Sequence, residues 1–201
     1  HTNVGADGQK STFGYDANGN LTTSTDPHGR ASAYTFDPLN RMMTMTDAAG
    51  GVVRYGYDAR DRLTSVKDPI GLTTSYTYDP LGNLIQLSSP DTGVTTYVAD
   101  SAGNTIGSTD SRGLPTAYVN DALNRQTLAT FSDGSVALEY DNAAVGGAFA
   151  KGRLTKVTDP SGTTSYLYDA LGRVLRKTQT VGSGSTAKTF ALRYGYTPGT
   201  M

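Results

Sequence analysis

Along much of the chain the large apolar residues fall at alternate positions rather than at helical spacing. Tyr34/Phe36, Tyr55/Tyr57, Tyr76/Tyr78, Leu138/Tyr140, Tyr166/Tyr168 and Tyr194/Tyr196 each occupy every second position, with Thr, Ser and Arg prominent among the residues beside them. A period of two puts such side chains on one face of an extended segment, the pattern of a half-buried β-strand. A second set of segments is less regular. Leu63 and Val66, like Leu84 and Leu87, are three apart and would face opposite sides of a flat strand; a β-bulge, or use of both faces, would reconcile the spacing.

The alternating segments recur. Tyr15-Asp16, Phe36-Asp37, Tyr57-Asp58, Tyr78-Asp79, Ala99-Asp100, Asn120-Asp121, Tyr140-Asp141 and Tyr168-Asp169 stand in register, with successive Asp residues 21, 21, 21, 21, 21, 20 and 28 positions apart. A fixed period held over most of a chain marks a repeat architecture. The tail Tyr194-Gly195-Tyr196-Thr197 reads as a ninth, degenerate copy.

Each unit carries two turn signals. One begins at the Tyr-Asp aspartate, as in Asp16-Ala17-Asn18-Gly19, Asp37-Pro38-Leu39-Asn40 and Asp58-Ala59-Arg60-Asp61, and its fourth residue is Gly, Asn or Asp. These types tolerate a positive φ, as a three-residue hairpin loop with a left-handed bulge residue requires. The other is Asp-Pro-x-Gly, at Asp26-Pro27-His28-Gly29, Asp68-Pro69-Ile70-Gly71 and Asp159-Pro160-Ser161-Gly162, which fits a type I turn. Two short turns leave about 13 residues per unit, enough for two strands of ~6 residues. The sequence therefore predicts an all-β fold: eight hairpins, about sixteen strands, in one twisted antiparallel sheet with no helix longer than a turn or two. Longer loops are expected near residues 141–152 and 179–189, where small residues break the period, and neither reads as a domain boundary.

Composition agrees. Glu139 is the only glutamate among 18 acidic residues, so turn-forming Asp replaces helix-forming Glu almost everywhere. The net charge of -1 supplies no field to steer nucleic acid or an anionic membrane. With no Cys there is neither a disulfide framework nor a thiolate metal site. No run of apolar residues is long enough for a membrane span, and His1 to Lys10 is no signal-peptide core; any export signal is expected outside this segment.

The recurring Tyr-x-(Tyr/Phe)-Asp-x-x-Gly-(Asn/Arg)-Leu pattern, over roughly residues 13 to 196, resembles the YD repeat of the Rhs family, found in bacterial polymorphic toxins, insecticidal toxin complexes and teneurins. The resemblance implies a single array over 1–201 whose hairpins belong to a spiralling, hollow β-shell, often wound around a toxic carboxy-terminal domain. It implies a non-catalytic structural segment of a bacterial secreted or cell-surface protein, with the rest of its parent chain and an enclosed toxin polypeptide as partners. Sixteen strands at ~4.8 Å span only ~77 Å of sheet, which is short for such a shell, so the chain is expected to be a fragment. Copies five and six depart from the pattern, with Ala99 and Asn120 in place of the second aromatic.

Candidate chemistry is sparse. The two His are His1, at the terminus, and His28, inside a turn, so serine-type, cysteine-type and His-based zinc chemistry lack members. No cofactor or metal is expected. The Asp residues could be read as calcium ligands or a glycosidase pair, but they open turns in phase, where a side-chain oxygen accepting a backbone N–H is reason enough for Asp. Asp68-Pro69-Ile70-Gly71-Leu72 looks like one half of the family's self-cleaving aspartyl site, yet it sits in phase with the turns and nothing near Asp91 completes it. Two candidate binding features remain. An aromatic column comprises Tyr34, Tyr55, Tyr57, Tyr76, Tyr78, Tyr97, Tyr118, Tyr166 and Tyr168; a basic ladder comprises Arg41, Arg62, Arg125, Arg153 and Arg173, with Asn20, Asn83 and Asn104 at the equivalent position of the other repeats. Set against sugars, these would make a carbohydrate-binding adhesion module; the ladder could also face an acidic cargo. The favoured reading is internal, with tyrosines packed between hairpins and each arginine neutralising the aspartate four residues before it, as at Asp37/Arg41 and Asp169/Arg173.

Overall fold

A computed structural model of the chain describes residues 2–6 and 8–197; His1 lies outside them. Eighteen strands run through the described residues, joined by short turns, and helix is confined to one four-residue α-helix and one three-residue 3-10 turn. The strands fall in two units that divide after Thr96.

The first unit contains β1 (Thr2–Val4), β2 (Lys10–Tyr15), β3 (Leu21–Thr25), β4 (Ala31–Phe36), β5 (Met42–Thr46), β6 (Val52–Tyr57), β7 (Leu63–Lys67), β8 (Thr73–Tyr78) and β9 (Leu84–Ser89), and β10 (Gly93–Ala99) carries the chain onward. Each strand pairs antiparallel with the next in sequence, as in Tyr55↔Val66 and Tyr76↔Leu87. The second unit repeats the meander with β11 (Thr105–Thr109), β12 (Pro115–Asn120), β13 (Gln126–Phe131), β14 (Gly134–Tyr140), β15 (Leu154–Asp159), β16 (Gly162–Tyr168), β17 (Val174–Val181) and β18 (Lys188–Arg193). The two strands beyond the expected sixteen are β1, ahead of the first Tyr-Asp strand, and β18, which leads into the degenerate ninth copy.

The irregular spacing in the second strand of each hairpin has a single cause. Tyr57 stands opposite Leu63 and Gly56 opposite Ser65, so Thr64 is passed over and the register shifts by one. The bulge lets Leu63 and Val66 lie on the face that carries Tyr55 and Tyr57. The same shift recurs before Tyr15, Phe36, Tyr78, Asn120, Tyr140 and Tyr168. Where the skipped residue is Thr155 or Thr127, its hydroxyl donates to the facing carbonyl of Glu139 (2.9 Å) or Val119 (3.1 Å).

The two turn signals produce one loop. At Asp16 and at Asp26 alike, the Asp N–H donates to the carbonyl four residues on, the fourth residue's N–H returns to the Asp carbonyl, and the Asp carboxylate accepts the N–H groups two and four positions ahead. The fourth residue is left-handed throughout, at Gly19 (φ 85), Gly29 (φ 80) and Gly82 (φ 98), and Asn40, Asp61 and Asn124 adopt the same region near φ 60. Asp159 departs from this geometry. It pairs directly with Gly162, leaving a two-residue loop of Pro160 and Ser161.

The two long loops also differ from expectation in detail. Residues 142–153 fold into α1 (Ala143–Gly146) and a return, with Asn142 capping the Ala144 N–H at 2.9 Å. The helix lies close on β15 and β16, where a Cβ on Gly146 would come 2.6 Å from the Thr155 methyl. In the second loop the strands extend further than the composition suggests, since Val181 still pairs with Lys188 and only 182–187 turn. Among the described residues Ala129, Gly146, Ala150 and Thr155 are buried, the last three where α1 and its loop lie against β15.

Candidate functional site

The Tyr-Asp turns and the strand that follows them bring the aromatic column and the basic ladder together. In the best-formed copies the carboxylate of the Tyr-Asp aspartate is bound by the arginine four residues later: Arg41 to Asp37 at 2.7 Å, Arg62 to Asp58 at 2.7 Å, Arg125 to Asp121 at 2.7 Å and Arg173 to Asp169 at 2.8 Å. Where that position is Asn, its side-chain amide makes the same contact, Asn20 to Asp16 at 2.9 Å and Asn83 to Asp79 at 2.8 Å.

These contacts set the electrostatics of the turns. The Asn20 and Asn83 amides, with the backbone N–H groups of each turn, hold the Asp16 and Asp79 carboxyls below the usual carboxylate range. Asp37 and Asp121 are lowered chiefly by the backbone N–H of the arginine and then by its side chain. At Asp58 and Asp169 partial desolvation pushes upward, and the hydrogen bonds from Arg62 and Arg173 outweigh it. A carboxylate that accepts this many donors is favoured in its charged form.

Each arginine also reaches the next repeat. The guanidinium of Arg41 lies 4.9 Å from the centre of the Tyr57 ring, Arg62 4.7 Å from Tyr78, Arg125 4.4 Å from Tyr140, Arg153 5.7 Å from Tyr168 and Arg173 4.3 Å from Tyr196, all within cation–π range. The rings are tied at the far end as well. The hydroxyls of Tyr57, Tyr78, Tyr168 and Tyr196 donate to the carbonyls of Met42, Leu63, Leu154 and Val174 at 2.6–3.0 Å. Every acceptor is the residue after the arginine whose guanidinium covers that ring. Arg41 and Arg62 further donate to the backbone carbonyls of Asp58 and Asp79 in the following turn, both at 3.0 Å.

Arg153 breaks the pattern because the 142–153 insertion separates it from Asp141. It donates to the carbonyls of Phe149 (2.7 Å) and Lys151 (3.1 Å), and Asp141 is taken instead by Arg125 at 2.7 Å. Of the column residues, Tyr34, Tyr55, Tyr57, Tyr76, Tyr78, Tyr97, Tyr118, Tyr166 and Tyr168 are all half-buried. Tyr34, Tyr55 and Tyr76 stand opposite Met45, Val66 and Leu87 on their neighbouring strands. Asp68 is held in its turn by the N–H groups of Ile70 and Leu72 (3.0 and 2.8 Å), and Asp91 belongs to a separate turn.

Spacing alone did not reveal a step rule that the geometry makes plain. Of the eight successive ladder residues, Arg41, Arg62, Arg125, Arg153 and Arg173 precede a tyrosine, while Asn20, Asn83 and Asn104 precede Phe36, Ala99 and Asn120. Asn120 leaves its side-chain nitrogen buried without a partner. Among the described residues, no helix is long and apolar enough to cross a membrane, which leaves β-barrels aside.

The RHS repeat family profile matches residues 2–31, 15–52, 36–69, 57–94 and 150–186. No curated protein matches by sequence. Among solved structures, the chain resembles the Photorhabdus luminescens Tc holotoxin pore bearing a TccC3 substitution, at 15% identity and TM-score 0.50, over 94% of this chain and 14% of that one. It also aligns with the TcdB2-TccC3 crystal structure at 17% identity and TM-score 0.46, over 92% of this chain and 14% of the other. The chain thus spans about one seventh of the structures it resembles. Four overlapping matches over residues 2–94 and a fifth over 150–186, on strands whose Tyr-Asp turns are linked by a common Asp-Arg-Tyr arrangement, make this chain a member of the RHS repeat family.

Proposed function

We propose that this chain is wall material: a non-catalytic array in a secreted or surface-exposed bacterial shell that encloses a polypeptide, such as a toxin, belonging to its parent protein. The observation that carries the reading is the closure of the ladder. Arginines and tyrosines that could serve a ligand are turned on one another between successive hairpins, which suits a surface whose task is to hold shape. Aspartates that could bind an ion or act in pairs are engaged by turn N–H groups. The likeness to part of a Tc holotoxin pore accords with a toxin setting.

The test is protease protection in the full-length parent. An enclosed polypeptide should resist digestion while the wall is intact and become cleavable when Tyr57 and Tyr78 are both replaced by Ala. Equal digestion in both forms would refute enclosure. Glycan-array binding by the native chain, lost on Tyr→Ala at Tyr55 and Tyr76 with folding retained, would favour adhesion instead.

A further inference from the structure

Arg54 on β6 and Lys67 on β7 stand directly opposite one another. Like charges in that position oppose strand pairing. Both residues are exposed, and neither makes an ion pair or side-chain hydrogen bond among the described residues, in contrast to the ladder arginines. They line a groove of about 410 Å³ between the turns that begin at Asp47 and Asp68. The anions beside it are already engaged. Asp47 accepts the N–H groups of Ala49 and Gly51, both at 2.8 Å, and Asp68, which lines the groove, accepts those of Ile70 and Leu72.

The pair belongs to a longer row. Thr35 faces Thr44, Thr44 faces Arg54, Arg54 faces Lys67 and Lys67 faces Thr73. Five adjacent positions at ~4.8 Å make a strip ~19 Å long, the length of about six extended residues. Because alternation assigns Tyr55 and Tyr57 to the other face, the strip lies on the side of the sheet away from the aromatic column. Two cations without an ion-pair partner lie within it, with hydroxyls at both ends, and match a segment that brings carboxylates to the middle and polar backbone to the flanks. A single inorganic anion would use only the centre.

We infer that the Arg54–Lys67 groove is a docking strip for an acidic, extended polypeptide segment. The experiment measures binding of fluorescein-labelled hexaglutamate to the chain at low salt by anisotropy, beside hexaglutamine and inorganic phosphate. The expected result is hexaglutamate binding that falls about tenfold or more in the Arg54→Gln/Lys67→Gln variant, with hexaglutamine weaker by a similar factor. Arg30→Gln, which removes an exposed arginine already paired with Asp26, should leave binding unchanged. Circular dichroism checks that the variants stay folded. Undiminished binding by the double variant would overturn the assignment, as would the absence of hexaglutamate binding or a preference for phosphate over the peptide.

Discussion

The guanidinium of Arg62 lies 4.7 Å from the centre of the Tyr78 ring, one repeat further along the chain, and the Tyr78 hydroxyl donates at 2.9 Å to the carbonyl of Leu63, the residue after that arginine. The ring is therefore fixed at both ends by the preceding hairpin. Tyr78→Phe keeps the ring beneath the cation and removes only the hydroxyl bond. It is expected to cost about 0.5–1.5 kcal/mol, read from the urea midpoint, and a variant as stable as the parent would show that this hydroxyl holds nothing.

The chain contains its own defective step to repair. Asn20 and Phe36 occupy the positions of Arg62 and Tyr78 in the first copies. Asn20→Arg with Phe36→Tyr should rebuild the stack and place a hydroxyl near the Leu21 carbonyl, stabilising the double variant by more than the sum of the single changes. Simple additivity in thermal unfolding would show that the step rule is incidental.

The turns set a separate condition. Gly82 has φ 98, whereas Asn40 and Asn124 take φ near 60 at the equivalent place. Gly82→Ala is expected to cost about 1–2 kcal/mol because a Cβ opposes the left-handed conformation. Gly82→Asn should cost clearly less, and equal losses from the two changes would point to something other than backbone conformation.

Much of this was legible in the sequence, because the repeat states each local rule many times. Period-two aromatics placed the Tyr-Asp strands, and Asp with a Gly or Asn three residues later placed the turns. The bulge was visible only as a misfit, Leu63 against Val66, since deciding between a bulge and two-faced packing requires knowing that Thr64 is skipped. The Asp-Arg pair was accessible from a spacing of four. The Arg-Tyr contact was not, because it joins residues 16 apart in different hairpins, as Arg41 and Tyr57 do. Comparing each ladder residue with the aromatic of the following copy would have exposed it. The insertion after Asp141 read as a loop because its small residues carry no helical pattern; Gly146 is there to let α1 approach Thr155.

Acid should weaken the fold in a defined direction. The carboxyls of Asp16, Asp37, Asp79, Asp100 and Asp121 are lowered in the folded chain by side-chain amides, arginines and backbone N–H groups. Their contribution is present above the unfolded carboxylate value of ~3.9 and is lost as pH falls through the lower folded values. The urea midpoint should be nearly flat from about pH 7 to 5 and fall below about pH 4. Asn83→Ala should make the fall shallower by removing the principal donor to Asp79. A midpoint that rises on acidification would contradict the assigned contacts.

The central claim is that arginine and tyrosine serve each other across the hairpins, and a double-mutant cycle on one rung tests it most directly. Equilibrium urea unfolding of the parent, Arg62→Met, Tyr78→Leu and the double variant isolates the energy of that contact. The account requires a favourable coupling of about 0.5–1 kcal/mol. Folded variants whose losses simply add would mean that the ring and the cation stand side by side without interacting, and that the ladder does not bind hairpin to hairpin.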